Sequence, residues 1–379
     1  MPMNPPRRIA IVTGTRAEAG LLRPVMQAVE SHPELTLQLV VAGTHLIRGT
    51  HRELPFAVAA KVAMQRAEPG SEGGRSAGKV AAVGRVRDAE ALGRGVGGFA
   101  RSFTKLDPDV VVVLGDRIEA LAAASAAAVG GWRLAHLHGG DRAEGVADES
   151  MRHAISKLAH LHFPATATSR RRLIRMGEDP GVIFNHGSPA ADGLRDVVAD
   201  PGGPELVVMQ HPTGGDDDAE RRRMAATLSA TAGHRRLILL PNYDPGRAGI
   251  VAAIQDHITA GRTARDQILD HLPRSEFLAQ LKAAKAIVGN SSAGLIESAI
   301  LRTPAVNVGD RQGGRETPAT VVSCGDAENQ IAAALQQALA LDTRRMRHPY
   351  GRGDTGPRIA ATLARIPLEQ VPLRKRNRY

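Results

Sequence analysis

The chain has 379 residues, 42% of them hydrophobic and 23% charged, a globular balance that argues against a disordered or fibrous chain and, at roughly 150 residues per domain, favours two domains. Aromatic residues are only 3%, so the core is built from Ala, Val, Leu and Ile, and a base-stacking surface for nucleic acid is a poor fit. The 49 Lys and Arg against 39 Asp and Glu give a net charge of +10, which suits a polyanion, but the basic residues are spread along the chain and a small anionic substrate needs only a few of them.

Met1–Arg8 is polar and proline-rich, with no secretory signal, and the longest uncharged apolar stretch, Ala120–Trp132, is too short to span a bilayer. The single cysteine, Cys324, permits no intramolecular disulfide. A cytoplasmic protein is expected, with neither a membrane nor a nucleic acid as partner. The one dense terminal charge cluster, Arg374, Lys375, Arg376 and Arg378, reads as a solvated tail.

Short β-rich runs alternate with helical stretches along the chain, the pattern of parallel α/β units. Arg8–Thr13 is the first expected strand, followed by a loop and a helix from about Ala19; Leu35–Ala42 is the next. Asp109–Leu114 (DVVVVL) is a continuous apolar run, as for a strand covered on both faces, and feeds an Ala-rich helix after Gly115. Leu134–His138 and Val182–Asn185 repeat the strand pattern. After the turn-rich Asp200–Pro204 (DPGGP) the alternation restarts, with strands at Leu206–Gln210, Arg236–Leu240, Ala286–Val288 and Ala305–Val308. The expected fold is two Rossmann-like domains, 1–199 and 200–379, with ligands at the strand ends in an interdomain cleft. The glycine- and serine-rich segment Glu68–Gly78 reads as a surface connection.

Chemistry-bearing residues fall just after the expected strands. Thr13–Gly20 (TGTRAEAG) combines small residues with Arg16; it suits either an anion at a helix N-terminus or a plain strand-to-helix turn. Val288–Glu297 (VGNSSAGLIE) offers amides and two hydroxyls to a diphosphate, with Glu297 placed to accept ribose hydroxyls, although Ser291 also suits a helix cap. Two such loops, one per domain, suggest a nucleotide diphosphate. The third cluster is Gly115-Asp116-Arg117-Ile118-Glu119 together with His136–Glu149, where Asp141, Glu144, Asp148 and Glu149 follow His138. Confined acids split their pKa values, which is what proton abstraction and donation need. Glu149 also suits the dipole of a helix over Met151–Ala159. His136-x-His138, with Asp141, His153, His160 and His162, invites a zinc reading, but without cysteine support or an HExxH pattern no metal is expected.

Six motifs in order then resemble one family: GTRA (Gly14–Ala17), GDR (Gly115–Arg117), HLHGGD…DES…RHAISKLAHLHF (His136–Phe163), PN.D (Pro241–Asp244), EFLAQLKAAKAIVGNSSAGLIE (Glu276–Glu297) and VNVGDRQGGRE (Val306–Glu316). Over about residues 8–340 the chain is similar to the UDP-N-acetylglucosamine 2-epimerase family, in particular its hydrolysing branch of sialic-acid and related nonulosonate biosynthesis. The resemblance implies a glycosyltransferase-B-type fold, a UDP-sugar substrate, no cofactor and a homo-oligomer, dimer or tetramer. It implies UDP held by Ser291, Ser292, Gly294 and Glu297, with Arg16, Arg117, Asn242 and Arg315 also on the substrate, and proton transfer drawn from Asp116, His138, Asp141, Glu144 and Asp148. His211 would assist UDP departure. Removal of the C2 proton and loss of UDP from C1 would give a 2-acetamidoglycal, which water then converts to the inverted free sugar. His138 stands where some members carry a carboxylate, and Asp141 where Glu is frequent, so the identity of the base is open. A non-hydrolysing 2-epimerase, a glycosyltransferase of the same architecture and a non-enzymatic nucleotide-sugar sensor are the alternatives.

Overall fold

The computed structural model describes residues 5–65, 77–142, 149–242, 244–376 and 378, with only the backbone given for 77–85. Glu144, Asp148 and most of the Glu68–Gly78 segment lie outside the described residues. The first sheet contains β1 (Arg7–Thr13), β2 (Leu35–Ala42), β3 (Val58–Val62), β4 (Val110–Leu114), β5 (Arg133–Leu137) and β6 (Leu161–Phe163), all parallel, in the order β3-β2-β1-β4-β5-β6. The second contains β7 (Leu206–Met209), β8 (Arg236–Leu239), β9 (Asp266–Leu269), β10 (Ala286–Gly289), β11 (Ala305–Val308) and β12 (Val321–Cys324), in the order β12-β11-β10-β7-β8-β9. The same winding thus occurs twice. In each sheet the first three strands run outward, and the chain then returns to the far side of the first strand.

That reversal brings the loops after β1 and β4 together, and likewise those after β7 and β10, at the point where open α/β sheets bind ligands. The central strands are apolar on both faces because helices cover both. Ile9, Ile11, Val110 and Val112 pack on one side with Leu22, Val25, Ile359 and Leu363, while Ala10, Val12, Val111 and Val113 pack on the other with Phe99, Phe103 and Ala123.

Three expectations change. Val182–Asn185 is not a strand. Pro180 lacks an amide proton, and Asp179 caps Gly181 N at 3.0 Å, so the chain makes a short 3₁₀ turn, Pro180–Val182, and Ile183 forms a single bridge to His162. The division of the chain also differs from 1–199 and 200–379: of the described residues, the first unit takes those up to Asp141, then Glu149–Asp192 and again those from Gly351 on, and the second takes Arg142 and those of Gly193–Tyr350. The returning helix Thr355–Arg365 is the cause, because it lies on the helix Arg16–Glu30 closely enough that a Cβ on Gly356 would sit 2.5 Å from Pro24 O. Asp192 seats its first turn, accepting from Thr355 N at 2.9 Å and Gly356 N at 2.6 Å. Finally, the basic tail is not wholly solvated: Lys375 pairs with the buried Glu178, and Arg378 with Asp179 at 2.8 Å. Among the described residues no helix is long and apolar enough to cross a membrane.

Candidate active site

In the first unit the chemistry gathers at the ends of β4 and β5. His136, the fourth residue of β5, points its ring inward: Nε2 lies 2.8 Å from Gly115 O and Nδ1 3.1 Å from Ser156 Oγ. A carbonyl can only accept, so Nε2 carries the proton and Nδ1 accepts from the serine. Burial pushes this ring down to about 3, and it stays neutral. Its function is to hold the turn that carries Asp116.

His138 lies just past the strand end with φ +62°, the left-handed region, so it no longer shares a face with His136. The two glycines after it have a steric reason. A Cβ on Gly139 would lie 2.9 Å from His136 Nδ1 and Ser156 Oγ, and one on Gly140 would lie 2.4 Å from Ser169 O. The turn brings His138 Nδ1 to 3.0 Å from Asp141 Oδ2 and Nε2 to 3.0 Å from Ser188 Oγ, while Asp141 Oδ1 accepts from Ser169 Oγ at 2.6 Å. With the carboxylate accepting from Nδ1–H, the neutral ring takes the Ser188 hydroxyl proton at Nε2, and the protonated ring donates there instead. The ring is therefore hydrogen-bonded at both nitrogens with or without the second proton.

Asp116 is paired with Arg152, a guanidinium only 2% exposed, whose Nη1 also donates to Asp141 O at 3.1 Å. Arg152 thus joins the loops after β4 and β5 from the helix Glu149–Leu158, and Ser156, one turn further along the same helix, reaches His136. The sequence motifs named Asp116, His138 and Asp141. They did not single out Arg152, Ser156, Ser169 or Ser188. Arg152 and Ser156 could have been found from their i, i+4 spacing on one face of an expected helix; Ser169 and Ser188, 28 and 50 residues from their partners, carry no local signal. The zinc grouping does not form, and among the described residues no three His, Cys, Asp or Glu side chains are grouped to hold a metal ion.

The Thr13–Gly20 loop is a capped turn. Thr15 Oγ1 accepts from Glu18 N at 3.2 Å, and the Gly14 amide is taken by Glu18 Oε2 at 2.6 Å. Arg16 pairs with Glu53 at 3.0 Å on the surface, and Arg117, at the start of the helix Ile118–Gly130, lies 3.4 Å from the buried Glu119. Desolvation, against the Gly14 hydrogen bond, raises Glu18 to about 7.

The second unit groups the remaining candidates around the ends of β7 and β10. Gly289 has φ +140°, and its α-carbon approaches β7 so closely that a Cβ would lie 2.1 Å from Met209 O. Asn290 then clamps His211, accepting from its N–H at 2.7 Å and donating to its carbonyl at 2.8 Å. His211 Nδ1 accepts from Asn242 N at 3.2 Å, which places the neutral ring's proton on Nε2; burial and the Arg311 charge push the ring down to about 3. Ser291 caps the short turn Ser292–Gly294 through Ala293 N at 3.3 Å, and Glu297 opens the next helix while accepting from Arg274 Nη1 at 2.9 Å. Arg311 Nη1 and Gln312 Nε2 reach Asn290 O at 3.3 and 2.8 Å. Gln312 Oε1, Arg315 Nε and Asn242 Oδ1 are buried without a hydrogen-bond partner among the described residues. Buried donors and acceptors without a protein partner are open to water, an ion or a ligand.

Comparisons with known proteins bear on the family and the fold. A family model described as UDP-N-acetylglucosamine 2-epimerase matches residues 27–364. The chain is 36% identical over 390 residues, 98% of itself and all of the relative, to the Legionella pneumophila protein named UDP-N,N'-diacetylbacillosamine 2-epimerase (hydrolyzing). It is 31% identical, over 92% of each chain, to the Neisseria meningitidis UDP-N-acetylglucosamine 2-epimerase. The two-domain fold of glycosyltransferase-B type is shared with solved structures: a Neisseria meningitidis UDP-GlcNAc 2-epimerase bound to UDP-GlcNAc (TM-score 0.78, 16% identity, 95% of this chain and 100% of that one), and a Methanocaldococcus jannaschii enzyme in complex with UDP-GlcNAc and UDP (TM-score 0.71, 20% identity, 94% and 99%). The chain belongs to the UDP-N-acetylglucosamine 2-epimerase family.

Proposed function

We propose that this family member is a hydrolysing 2-epimerase, which eliminates UDP from a UDP-2-acetamido sugar and hydrates the resulting glycal to the free, C2-inverted sugar. The observation that carries the reading is the Asp141–His138–Ser188 chain beside the Asp116–Arg152 pair, a proton-carrying imidazole held between a carboxylate and a hydroxyl. The first unit supplies the proton chemistry and the second grips the nucleotide. His138, with Asp141 behind it, takes the C2 proton; the C2–H electron pair forms the C1–C2 double bond, and the C1–O bond electrons leave with UDP. His211, neutral and with Nε2–H as its donor, offers a hydrogen bond to the departing diphosphate and is not the general acid. Arg315 and Asn242 supply polar contacts, and Ser291, Ser292 and Gly294 the amide-rich turn. Water adds at C1 while C2 is reprotonated from the opposite face, a step assigned to the other acids, Asp116, Glu144 and Asp148. Glu297, with Arg274 compensating its charge, receives the ribose.

Hydrolysis is supported by the names of the Legionella relative and of a Campylobacter jejuni relative 29% identical over 82% of the chain, both hydrolyzing 2-epimerases named for diacetylbacillosamine. UDP-N,N'-diacetylbacillosamine is therefore the first substrate to test and UDP-N-acetylglucosamine the second. Each is incubated in heavy water and the products are identified. Free manno-configured sugar carrying deuterium at C2, with UDP released, is the expected result. Deuterated UDP-sugar without release would instead establish the non-hydrolysing reaction, and glycoside formed without C2 exchange would establish a transferase.

A further inference from the structure

The last residues of the chain are bound at several points around the helix that supplies Arg152. Val371 is buried in the core and its carbonyl accepts from Arg133 Nε at 3.1 Å; the Leu373 carbonyl accepts from His160 Nε2 at 3.1 Å. Lys375 Nζ then donates to Ser156 O at 3.1 Å and Lys157 O at 2.9 Å, carbonyls at the C-terminal end of the helix Glu149–Leu158, and pairs with Glu178. An ammonium has three donors, and all three are used. Glu178 is fully buried and also receives Lys157 Nζ at 2.7 Å and His162 Nε2 at 3.0 Å. Burial alone would raise its pKa, but those hydrogen bonds hold it at about 2, so it remains an anion facing Lys375. Beyond Lys375 the chain is tied once more, by Arg378 N to Gly177 O at 2.8 Å.

We propose that Val371–Lys375 is a strap that fixes the helix Glu149–Leu158, and that Lys375 is a positioning residue for the Arg152 guanidinium that joins Asp116 to the Asp141 loop; the catalytic half of this inference rests on the function proposed above. A cation at a helix C-terminus satisfies carbonyls that have no partner within the helix and complements the dipole. Lys375 binds the helix at Ser156 and Lys157, one turn from Arg152, so a shift of the helix end moves both the Ser156–His136 contact and the Arg152–Asp116 pair. Lys375 touches no reacting atom in this scheme and acts through the helix alone. A displacement of about 1 Å in such a group costs on the order of a hundredfold in rate.

The test uses the full chain with Lys375→Met and Lys375→Arg, plus a chain ended after Arg374. Turnover, KM, UDP affinity and amide hydrogen exchange across residues 149–159 are measured together. For Lys375→Met and the shortened chain, kcat falls roughly 10- to 100-fold, KM and UDP affinity stay within about twofold, and exchange of the helix amides accelerates at least about tenfold. Lys375→Arg, which keeps the cation, recovers most of both losses. Unchanged kcat and exchange in Lys375→Met would overturn the proposal, and so would a loss of kcat accompanied by an equal loss of UDP affinity and of global stability. Should the unmodified chain turn over neither UDP-sugar, the exchange data still decide. Faster exchange then sustains the strap while the epimerase reading falls, and unchanged exchange sinks the strap by itself.

Discussion

Replacing His138 by Asn separates proton transfer from folding. Asn adopts the left-handed region readily, so the φ of +62° is retained and the two glycines that follow keep their places. What disappears is the imidazole, with its 3.0 Å contacts to Asp141 Oδ2 and Ser188 Oγ. One of these is a hydrogen bond to a carboxylate and the other joins two neutral groups, so their loss costs about 2–4 kcal/mol. For a unit of roughly 200 residues that lowers Tm on the order of 5–15 °C, which leaves the protein folded at room temperature. The catalytic loss is separate and larger: removing a positioned acid–base group costs about 10²–10⁴ in kcat, or about 3–5 kcal/mol of barrier. The assay follows UDP release under saturating UDP-sugar and deuterium entry at C2 by mass spectrometry, with UDP affinity measured by calorimetry. Both rates fall together while UDP affinity is unchanged, since the nucleotide contacts are assigned to the second unit. A variant that keeps kcat within about threefold, or that loses affinity as steeply as rate, would refute the assignment of the C2 proton to His138.

Arg315→Met removes the orphaned buried Nε and weakens UDP binding roughly 10- to 100-fold by calorimetry, as expected for the loss of a charge-assisted hydrogen bond; unchanged affinity would remove Arg315 from the nucleotide site. Gly14→Ala places a methyl 2.6 Å from Glu119 Cγ in a packed interior and lowers stability by about 1–3 kcal/mol in thermal unfolding, whereas an unchanged Tm would mean that Glu119 is free to move. Glu18 has a folded pKa raised from 4.5 to about 7, so the folded state holds its proton more tightly. Its contribution to stability is full below about pH 4.5 and is lost as pH rises through 7, by about 3 kcal/mol in all. His45 and His136, pushed down from 6.5 to about 4 and 3, act with the opposite slope over an overlapping range up to about pH 6.5, so the readout is the difference between parent and Glu18→Gln. The variant, which keeps an acceptor for Gly14 N, gains on the parent between pH 5 and 7 and holds that gain above. Parallel curves would show that Glu18 ionises as freely in the fold as in the unfolded chain.

The four strands given no range from the sequence are β3, β6, β9 and β12, the four sheet edges; β6 is only three residues, all buried, and is too short to delimit by pattern. An edge strand needs less apolar surface than a central one: β3 is VAAKV with alternate residues exposed, and β9 is DQIL with none fully buried. The eight central strands, covered on both faces, were legible within a residue or two because no helix or loop of these lengths needs such a run of Val, Ile and Leu. The return of the helix Thr355–Arg365 to the first unit was hidden for another reason. Its apolar stripe says that it packs, but not on which sheet, and the partner is chosen by Asp192 and Pro24, far away in sequence. The acids and the small-residue loops were legible because they sit beside glycines at strand ends. Of the groups that orient them, Ser169 and Ser188 were not, because an ordinary residue becomes a positioning group only through the neighbour that the fold gives it.

Histidine shows that point most sharply, since one side chain serves three purposes here according to what its second nitrogen meets. His136 donates to a carbonyl and accepts from Ser156; that hydroxyl could accept in turn, but the ring is fully buried with a neutral carbonyl rather than a carboxylate on its other nitrogen, and desolvation keeps it uncharged. It can brace Asp116 but cannot cycle. His211 has its Nδ1 lone pair fixed by a backbone amide and Arg311 nearby, so protonation would place N–H against N–H beside a cation. Such a ring stays a neutral donor near neutral pH, which is the form the proposed contact to a departing diphosphate uses. His138 alone has a carboxylate on one nitrogen and a hydroxyl, able to donate or accept, on the other, so gaining a proton breaks neither bond. On the proposed reading the motif HLHGGD encodes a brace and a proton carrier two residues apart, and the left-handed turn at His138 is what gives the two rings different surroundings.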